Sequence, residues 1–330
     1  MAVIDPAASR ALRISAVIPV YRSALILPEL HSRLTRALQT IADDFEVILV
    51  EDGGADEAWS VIEALAQHDQ RVRGIRMSRN YGQHNALLCG IRAARYEVIV
   101  TLDDDLQNPP EEIHKLVARL ATGADVVYGT PALEQHGFWR NQASRVSKLA
   151  LQSAMGAETA RNVSAFRAFR SRIREAFASY RGPDVSIDVL LTWGTSRFDH
   201  VVVNHEPRLA GESSYTLRRL ITHAFNMMTG FSTLPLQIAS VIGFLFTLFG
   251  VGVLLLVIAT YVANGGATVP GFAFLASIVA IFSGAQLFAL GIIGEYLARM
   301  HFRTRDRPTY LVADVTGVAL ATLVEPGTPE

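Results

Sequence analysis

The chain has 330 residues and a formal net charge of -1 at pH 7, so it has room for one large domain or two modest ones. A net charge this close to zero gives no basis for bulk electrostatic binding, and we exclude nucleic acid as a partner. The single cysteine, Cys89, excludes an intramolecular disulfide.

Strand and helix patterns alternate from Arg13 to about residue 130. Apolar, strand-like runs (RISAVIPVY, FEVILVED, VRGIRMS and YEVIVTLDDD) alternate with helix-like runs such as LPELHSRLTRALQTIA. This alternation predicts an α/β fold, with a mostly parallel sheet that carries helices on both faces. Neither GxGxxG after the first strand nor GxxxxGK[ST] occurs, so a dinucleotide-binding Rossmann domain and a P-loop are disfavoured.

An acidic triplet at residues 103–105 directly follows the apolar run 96–102. In open α/β sheets, ligands bind at the carboxyl ends of the strands. On an extended chain residues i and i+2 project to the same side, which pairs Asp103 with Asp105. Such a pair suits Mg²⁺, which takes one or two protein carboxylates and completes its shell with water and phosphate oxygens. The alternative is a solvated acidic loop.

Two further strand ends fall on the same predicted edge, with Pro19 and Tyr21 after the first strand and Asp52 after the second. An aromatic ring for stacking, an acid for a base or ribose and paired acids for a metal together indicate a nucleoside-diphosphate site. The alternatives are a core role for Tyr21, a helix cap near Asp56 for Asp52 and a strand-edge role for Pro19.

The second half of the chain contains a long uncharged segment. No Asp, Glu, Lys or Arg occurs between Arg219 and Glu295, and the apolar stretches 236–262 and 271–294 each exceed the ~20 residues that cross a bilayer core. We predict two transmembrane helices, since a buried helical hairpin would show a polar face. Arginines flank the pair on both outer sides, which places both termini and the α/β domain in the cytoplasm.

The predicted organisation has five parts. Residues 216–234 carry apolar side chains at helical spacing opposite a polar face, which is typical of an amphipathic helix in the membrane interface. The parts are an N-terminal tail (1–12), the α/β domain (13–215), the interface helix (216–234), a transmembrane hairpin (235–298) and a cytoplasmic juxtamembrane segment with tail (299–330).

An ordered series of motifs runs through the chain: VIPVY, LVEDGGADEAW, RNYGQHNALLCGI, VTLDDDLQNPPEEI, SAFRAF, SIDVLL, RLAGESSYTLRRL and GEYLARMHFRTRDRPTY. The series resembles family 2 glycosyltransferases with the GT-A fold. Within that family it is similar to the polyprenyl-phosphate glycosyltransferases, which include dolichyl-phosphate-mannose synthases and undecaprenyl-phosphate glucosyl and aminoarabinosyl transferases.

The resemblance implies inverting transfer of one sugar from a nucleotide-sugar, UDP-linked, to a polyprenyl phosphate such as undecaprenyl phosphate. The reaction would take place at the cytoplasmic face of the inner membrane and give a lipid-linked sugar for cell-envelope glycan modification. A homo-oligomer is one option for the assembly, and the sequence does not identify the sugar.

The resemblance also implies roles for individual residues. Mg²⁺ or Mn²⁺ would bind at Asp103, Asp105 and Gln107. The nucleotide would bind at Pro19, Tyr21, Asp52, Asp103 and Asp104. The acceptor phosphate would meet Arg140, Arg167 and Arg208, because the planar guanidinium forms paired hydrogen bonds with phosphate oxygens. Asp103, Asp105, Arg140 and Arg208 would be the catalytic residues.

Two other functions stay open. A non-catalytic, membrane-anchored sugar-nucleotide-binding protein fits the altered motif Glu51-Asp52-Gly53-Gly54, which stands where the family has DDGS. A processive polysaccharide synthase is disfavoured, because QxxRW is absent and two spans make a poor polymer channel. His84, a candidate base, is more often structural near a helix start.

Overall fold

The structure is a computed structural model that describes residues 11–131, 162–182, 185–206, 234–263, 271–304 and 308–317. The strands are β1 (Arg13–Val20), β2 (Asp44–Glu51), β3 (Val72–Met77), β4 (Val98–Thr101), β5 (Val126–Pro131), β6 (Arg167–Arg170), β7 (Phe198–Val203) and β8 (Val312–Thr316). The helices are α1 (Leu27–Ile41), α2 (Ala58–His68), α3 (Gln83–Ala93), α4 (Ile113–Ala121), α5 (Ile187–Gly194), α6 (Leu234–Ala263) and α7 (Phe272–Thr304). Two 3₁₀ turns cover Pro110–Glu112 and Ser171–Phe177.

The eight strands form one mixed sheet in the order β7-β5-β6-β4-β1-β2-β3-β8. β1, β2, β3 and β4 pair in parallel, as do β5 and β7. β6 lies antiparallel between β4 and β5, and β8 lies antiparallel to β3. The predicted α/β fold is confirmed, and the carboxyl ends of β4, β1 and β2 lie side by side.

Alternation along the strands divides the core in two. In β1, Ile14 and Ile18 face one apolar cluster while Val17 faces the other. The first cluster is covered by α1, α2 and α4, and α1 contributes leucines at helical spacing, such as Leu30 and Leu34. The second is covered by α3 and α5. The sheet is therefore buried on both faces and open to ligands only at the ends of its strands.

β8 was not predicted, since the sequence indicated only a juxtamembrane segment and tail after residue 298. The backbone N–H of Ser78 donates to the Leu311 carbonyl at 2.9 Å, next to the β3–β8 pairing. Gly74 allows this close pairing, because a Cβ there would lie 2.6 Å from Cγ2 of Thr316. The chain therefore returns from the end of α7 to the eight-stranded sheet.

Helices α6 and α7 are long and apolar enough to cross a membrane, judged by length and composition, over Leu236–Ala263 (28 residues) and Ile281–Ala298 (18 residues). They contact each other edge to face through Phe246 and Phe282, whose ring centroids are 5.9 Å apart. Helix α7 continues to Thr304, beyond the predicted limit of the hairpin at residue 298. The predicted interface helix lies, up to residue 233, outside the described residues.

Candidate active site

The acidic triplet lies in a turn and not on an extended strand. β4 ends at Thr101, and the chain turns through residues 103–108 before the 3₁₀ turn. Leu106 adopts a left-handed conformation (φ 57°), which is unusual for a branched side chain, and its side chain is buried in the core. The apolar anchor of Leu106 holds the turn over the sheet. We call residues 103–107 the acid turn.

The three carboxylates of the acid turn have different partners, which explains how like charges are held side by side. Asp104 Oδ2 accepts from the backbone N–H of Tyr21 at 3.0 Å and from Ser23 Oγ at 2.5 Å. Asp103 Oδ1 accepts from Gln83 Nε2 at 2.5 Å. Asp105 Oδ1 accepts from the backbone N–H of Gln107 at 3.1 Å.

These contacts join the acid turn to two neighbouring loops. Asp104 fixes the loop after β1, while Asp103 reaches the start of α3. Burial raises the pKa of Asp104, although the hydrogen bonds from Ser23 and Tyr21 offset part of that effect. None of the arginines and lysines in the described part of the chain forms an ion pair with Asp104.

Asp52 follows β2 and holds the chain that enters α3. Its two carboxylate oxygens accept from the backbone N–H groups of Tyr81, at 2.7 Å, and Gly82, at 2.8 Å. Burial raises the pKa of Asp52, and the two N–H donors offset part of that effect. Gly53 is required here, because its φ is 66° and a Cβ would lie 2.5 Å from the backbone nitrogen of Asn80. Asp52 retains further lone pairs for a ligand.

Tyr21 and Pro19 differ in exposure. The Tyr21 side chain is 44% exposed at the rim, and the Arg22 guanidinium lies 5.2 Å from its ring centroid. Pro19 is buried within β1 opposite Val50. Tyr21 is therefore available for stacking, whereas Pro19 shapes the strand end from beneath.

Arg167 lies below the acid turn and is buried. It begins β6 opposite Thr101, and its side chain is 2% exposed and forms an ion pair with Asp188. Its Nε donates to Thr101 Oγ1 at 3.1 Å, while the Tyr128 hydroxyl donates to Asp188 at 3.2 Å. The contact between Arg167 and the acceptor phosphate stays a prediction; in this structure the guanidinium is buried and paired with Asp188.

The remaining predicted residues divide into two groups. Gln107 lies in the acid turn, where its carbonyl accepts from the backbone N–H of Glu206 at 2.9 Å. His84 Nδ1 accepts from the backbone N–H of Ile187 at 3.4 Å, which fits a structural role. Arg140 and Arg208 lie outside the described residues.

Three residues that contact the acid turn, namely Ser23, Gln83 and Glu206, were not identified from the sequence. Gln83 is the first residue of α3 and is exposed, so its place after the third strand was the signal that could have identified it. No pattern in the sequence pointed to Ser23 or Glu206, which reach the acid turn through contacts between segments distant in the chain.

A mixed α/β sheet with a carboxylate turn at the end of a central strand is the arrangement of GT-A glycosyltransferases. The sequence model described as Glycosyl transferase family 2 matches residues 15–180, about half of the chain. The chain belongs to this family and is a glycosyltransferase.

Relatives match over nearly the whole length. A protein of Pseudomonas aeruginosa (strain LESB58) named undecaprenyl-phosphate 4-deoxy-4-formamido-L-arabinose transferase is 37% identical over 310 residues, which cover 92% of this chain and 90% of that protein. A protein of the same name from Enterobacter sp. (strain 638) is 35% identical over 305 residues, which cover 92% of this chain and 93% of that protein.

Solved structures share the fold. A crystal structure of glucosyl-3-phosphoglycerate synthase from Mycobacterium tuberculosis, in complex with Mn²⁺, UDP and phosphoglyceric acid, gives a TM-score of 0.50 at 17% identity. The match covers 66% of this chain and 76% of that chain. At this identity the likeness concerns the GT-A fold alone.

Proposed function

We propose that this glycosyltransferase transfers one sugar from a UDP-linked donor to undecaprenyl phosphate, with inversion, at the cytoplasmic face of the membrane. The observation that carries the proposal is the match over 92% of the chain to proteins named for transfer to undecaprenyl phosphate. A match of this length takes in most of α6 and α7, so the likeness extends beyond the catalytic domain to the apolar helices.

The acid turn fits a divalent cation by the chemistry of its oxygen atoms. The described residues include no group of three or more His, Cys, Asp and Glu side chains arranged to hold a metal. Mg²⁺ needs only one or two protein carboxylates, so Asp103 and Asp105, with Gln107, would hold Mg²⁺ or Mn²⁺ together with the diphosphate oxygens of the donor. The cation would stabilise negative charge on the leaving diphosphate.

The nucleoside would occupy the rim between the ends of β1 and β2. The exposed ring of Tyr21 offers a stacking surface, and Asp52 offers acceptor lone pairs beside the start of α3. Asp104 holds the Tyr21 backbone and so sets the position of that ring. The donor side of the site is thus organised by loops that the acid turn joins together.

The acceptor would be activated by charge and position. A phosphate monoester has a second pKa of about 6, so an undecaprenyl phosphate is largely dianionic at pH 7 and needs no strong base. Its oxygen attacks the anomeric carbon from the face opposite the diphosphate; the new carbon–oxygen bond forms as the old one breaks, and the electron pair leaves on UDP. Arg140 and Arg208 are the arginines that we propose orient the acceptor phosphate.

The tail supports the proposed orientation in the membrane. β8, which pairs with β3 of the catalytic sheet, begins eight residues after α7 ends at Thr304. Even a fully extended chain of eight residues reaches at most about 28 Å, so the end of α7 lies within that distance of the sheet. The end of α7 would therefore lie on the same side of the membrane as the catalytic domain. Together with the flanking arginines, this favours cytoplasmic termini and an external loop at residues 264–270.

The test is a transfer assay with the full chain purified in detergent. Undecaprenyl phosphate is offered with UDP-linked 4-deoxy-4-formamido-L-arabinose, and with UDP- and GDP-hexoses as comparison donors. We expect UDP release and a lipid-linked sugar, both abolished by a chelator and restored by Mg²⁺ or Mn²⁺. Donor binding without UDP release, for every donor, would instead support the non-catalytic alternative.

A further inference from the structure

A second group of charged residues lies beside the acid turn and is not explained by donor binding. The guanidinium of Arg33, on α1, is held between two carboxylates. It donates to both oxygens of Glu111, at 3.0 and 2.8 Å, and to both oxygens of Glu206, at 3.2 and 3.3 Å. Glu111 is 78 residues from Arg33 along the chain and Glu206 is 173 residues away.

Two more contacts fasten the same segment. Glu112, whose side chain is only 9% exposed, accepts from the backbone N–H of Asn204 at 3.0 Å and from its side-chain amide at 3.2 Å. The backbone N–H of Glu206 donates to the carbonyl of Gln107 in the acid turn at 2.9 Å. Residues 204–206, which follow β7, are therefore attached to the acid turn and to the helix start beyond it.

This arrangement is better suited to positioning than to stability. The Arg33 side chain is 16% exposed, but both of its partners, Glu111 and Glu206, are 51% and 44% exposed, so solvent screens the two pairs and they stabilise the fold less than a fully buried pair would. A guanidinium that binds two carboxylates nevertheless fixes the orientation of the two segments that carry them, because its planar donors require a fixed geometry. The chain that leaves this point reaches Arg208 two residues later.

We propose that Arg33, Glu111, Glu112, Asn204 and Glu206 form a clamp that positions the segment after β7 against the acid turn, so that the acceptor phosphate is presented to the donor. We call these five residues the exit clamp. They are positioning residues, since none is placed in contact with a reacting atom. The inference rests on the proposed function, because it presumes that the acceptor approaches from this segment.

The competing explanation is that the exit clamp only joins α1 to the 3₁₀ turn before α4 and to the segment after β7. Loosening it would then lower stability and affect the KM of donor and acceptor alike. The positioning role predicts a different result, because the proposed donor contacts at Tyr21 and Asp52 lie on other loops and should not depend on the clamp. Its loss should raise the acceptor KM and leave the donor KM unchanged.

The experiment uses the full chain in detergent with Glu206→Gln, Arg33→Met and Arg33→Lys. Arg13→Met is the control, because Arg13 forms an exposed ion pair with Glu97 at the amino ends of the strands and contacts no residue of the exit clamp. For Glu206→Gln and Arg33→Met we expect the KM for undecaprenyl phosphate to rise roughly tenfold, as for the loss of a charged hydrogen bond. The donor KM, the acceptor-independent hydrolysis of the donor and the melting temperature should stay close to wild type.

Further variants sharpen the result. Arg33→Lys keeps the positive charge but loses the planar guanidinium, so its acceptor KM should lie between those of the wild type and Arg33→Met. In the double variant that combines Glu206→Gln with Arg33→Met, the rise in acceptor KM should be smaller than the product of the two single effects, because both substitutions break the same contact. Clamp variants with wild-type acceptor KM, or with equal rises in donor and acceptor KM, would overturn the inference. Absence of transfer by the wild-type protein would instead overturn the proposed function.

Discussion

Carboxylates are buried at both ends of the strands of the catalytic sheet, but their partners differ. We call the side where the parallel strands begin the amino edge and the side where they end the carboxyl edge. At the amino edge Glu46 is fully buried and meets two arginines, with Arg73 at 2.7 Å and Arg95 at 2.9 Å. At the carboxyl edge Asp52 and Asp104 are held by backbone N–H groups and one hydroxyl, and they form no ion pair with any described residue.

The pKa directions express the same contrast. Burial alone would raise the pKa of Glu46, but donation from Ser15, the Arg95 backbone and Arg73 outweighs it and lowers the pKa. For Asp52 and Asp104 burial prevails and the pKa is raised. Glu46 is thus paired with two cations, whereas Asp52 and Asp104 keep negative charge that a bound cation would balance. Glu51, which ends β2, differs from both in pairing with Arg76 at 3.6 Å. The difference between Glu46 and the two aspartates is the one expected if Glu46 stabilises the fold and Asp52 and Asp104 belong to the proposed donor site.

The largest effect is expected at the amino edge. Glu46→Gln leaves Arg73 buried without its carboxylate, and breaking such a buried pair costs roughly 3 to 5 kcal/mol of unfolding free energy. Denaturant unfolding of the purified protein measures the change. Glu97→Gln is the control on the same edge, since its pair with Arg13 is 34% and 51% exposed and should be worth less than about 1 kcal/mol. Equal losses in the two variants would contradict the comparison.

Acid should weaken the amino edge first. The folded-state pKa of Glu46 is below the unfolded value of about 4.3, so its stabilisation is present above that pH and is lost as the pH falls through the folded pKa. We expect the stability of the wild type to fall more steeply below about pH 4 than that of Glu46→Gln. Melting temperatures between pH 6 and 3 measure this, and parallel curves would show that Glu46 does not act in this way.

The carboxyl edge should lose activity and not stability. Asp105→Asn removes a carboxylate from the proposed cation site, and we expect turnover to fall at least about 100-fold, as for other lost electrostatic stabilisers of a transition state. Circular dichroism and the melting temperature should stay near wild type. Asp199→Asn, which breaks a surface pair with Arg119 at the start of β7, is the matched control and should keep its activity. Full turnover of Asp105→Asn in excess chelator would exclude the metal assignment.

Local patterns predicted much of this edge. The leucines of α1 and the apolar runs of β1, β2 and β4 carry their periodicity within a few residues, so the sequence indicated the alternating elements correctly. The parallel direction of these strands then placed Asp52 and the acid turn at one edge. These predictions required no knowledge of distant contacts.

Distant contacts decided the rest. β8 is a five-residue strand that pairs with β3, more than 200 residues earlier, and no local pattern specifies that partner. The burial of Arg167 depends on Asp188, which lies 21 residues further along the chain. Asp104 and Asp103 are held by Ser23 and Gln83, which lie 81 and 20 residues earlier in the chain and which no local pattern connects to the acid turn. An isolated arginine or aspartate in a sequence does not reveal its partner.

Asp104 tests whether the carboxyl edge sacrifices stability for function. Its two donors reach the same oxygen, so Asp104→Asn can keep both hydrogen bonds through the amide oxygen while removing a buried charge. In chelator we expect the melting temperature to rise by about 2 to 4 °C, the shift that 1 kcal/mol gives in a domain of this size. Donor-dependent turnover should fall. A lower melting temperature with unchanged turnover would mean that the charge is structural, as at the amino edge.

The smallest effect is expected at His84, the second residue of α3. Its Nδ1 is occupied by the backbone N–H of Ile187, and the dianionic acceptor needs no base. We therefore expect His84→Ala to keep turnover within about threefold of wild type, well below the 10²–10⁴-fold loss typical of a removed general base. Both proteins should show one apparent pKa near that of the acceptor phosphate, about 6, in the pH dependence of turnover. The matched measurement compares His84→Ala with wild type from pH 5 to 9, with donor binding recorded alongside. If turnover disappears while donor binding and the fold are intact, an imidazole is needed and the base-free mechanism is wrong.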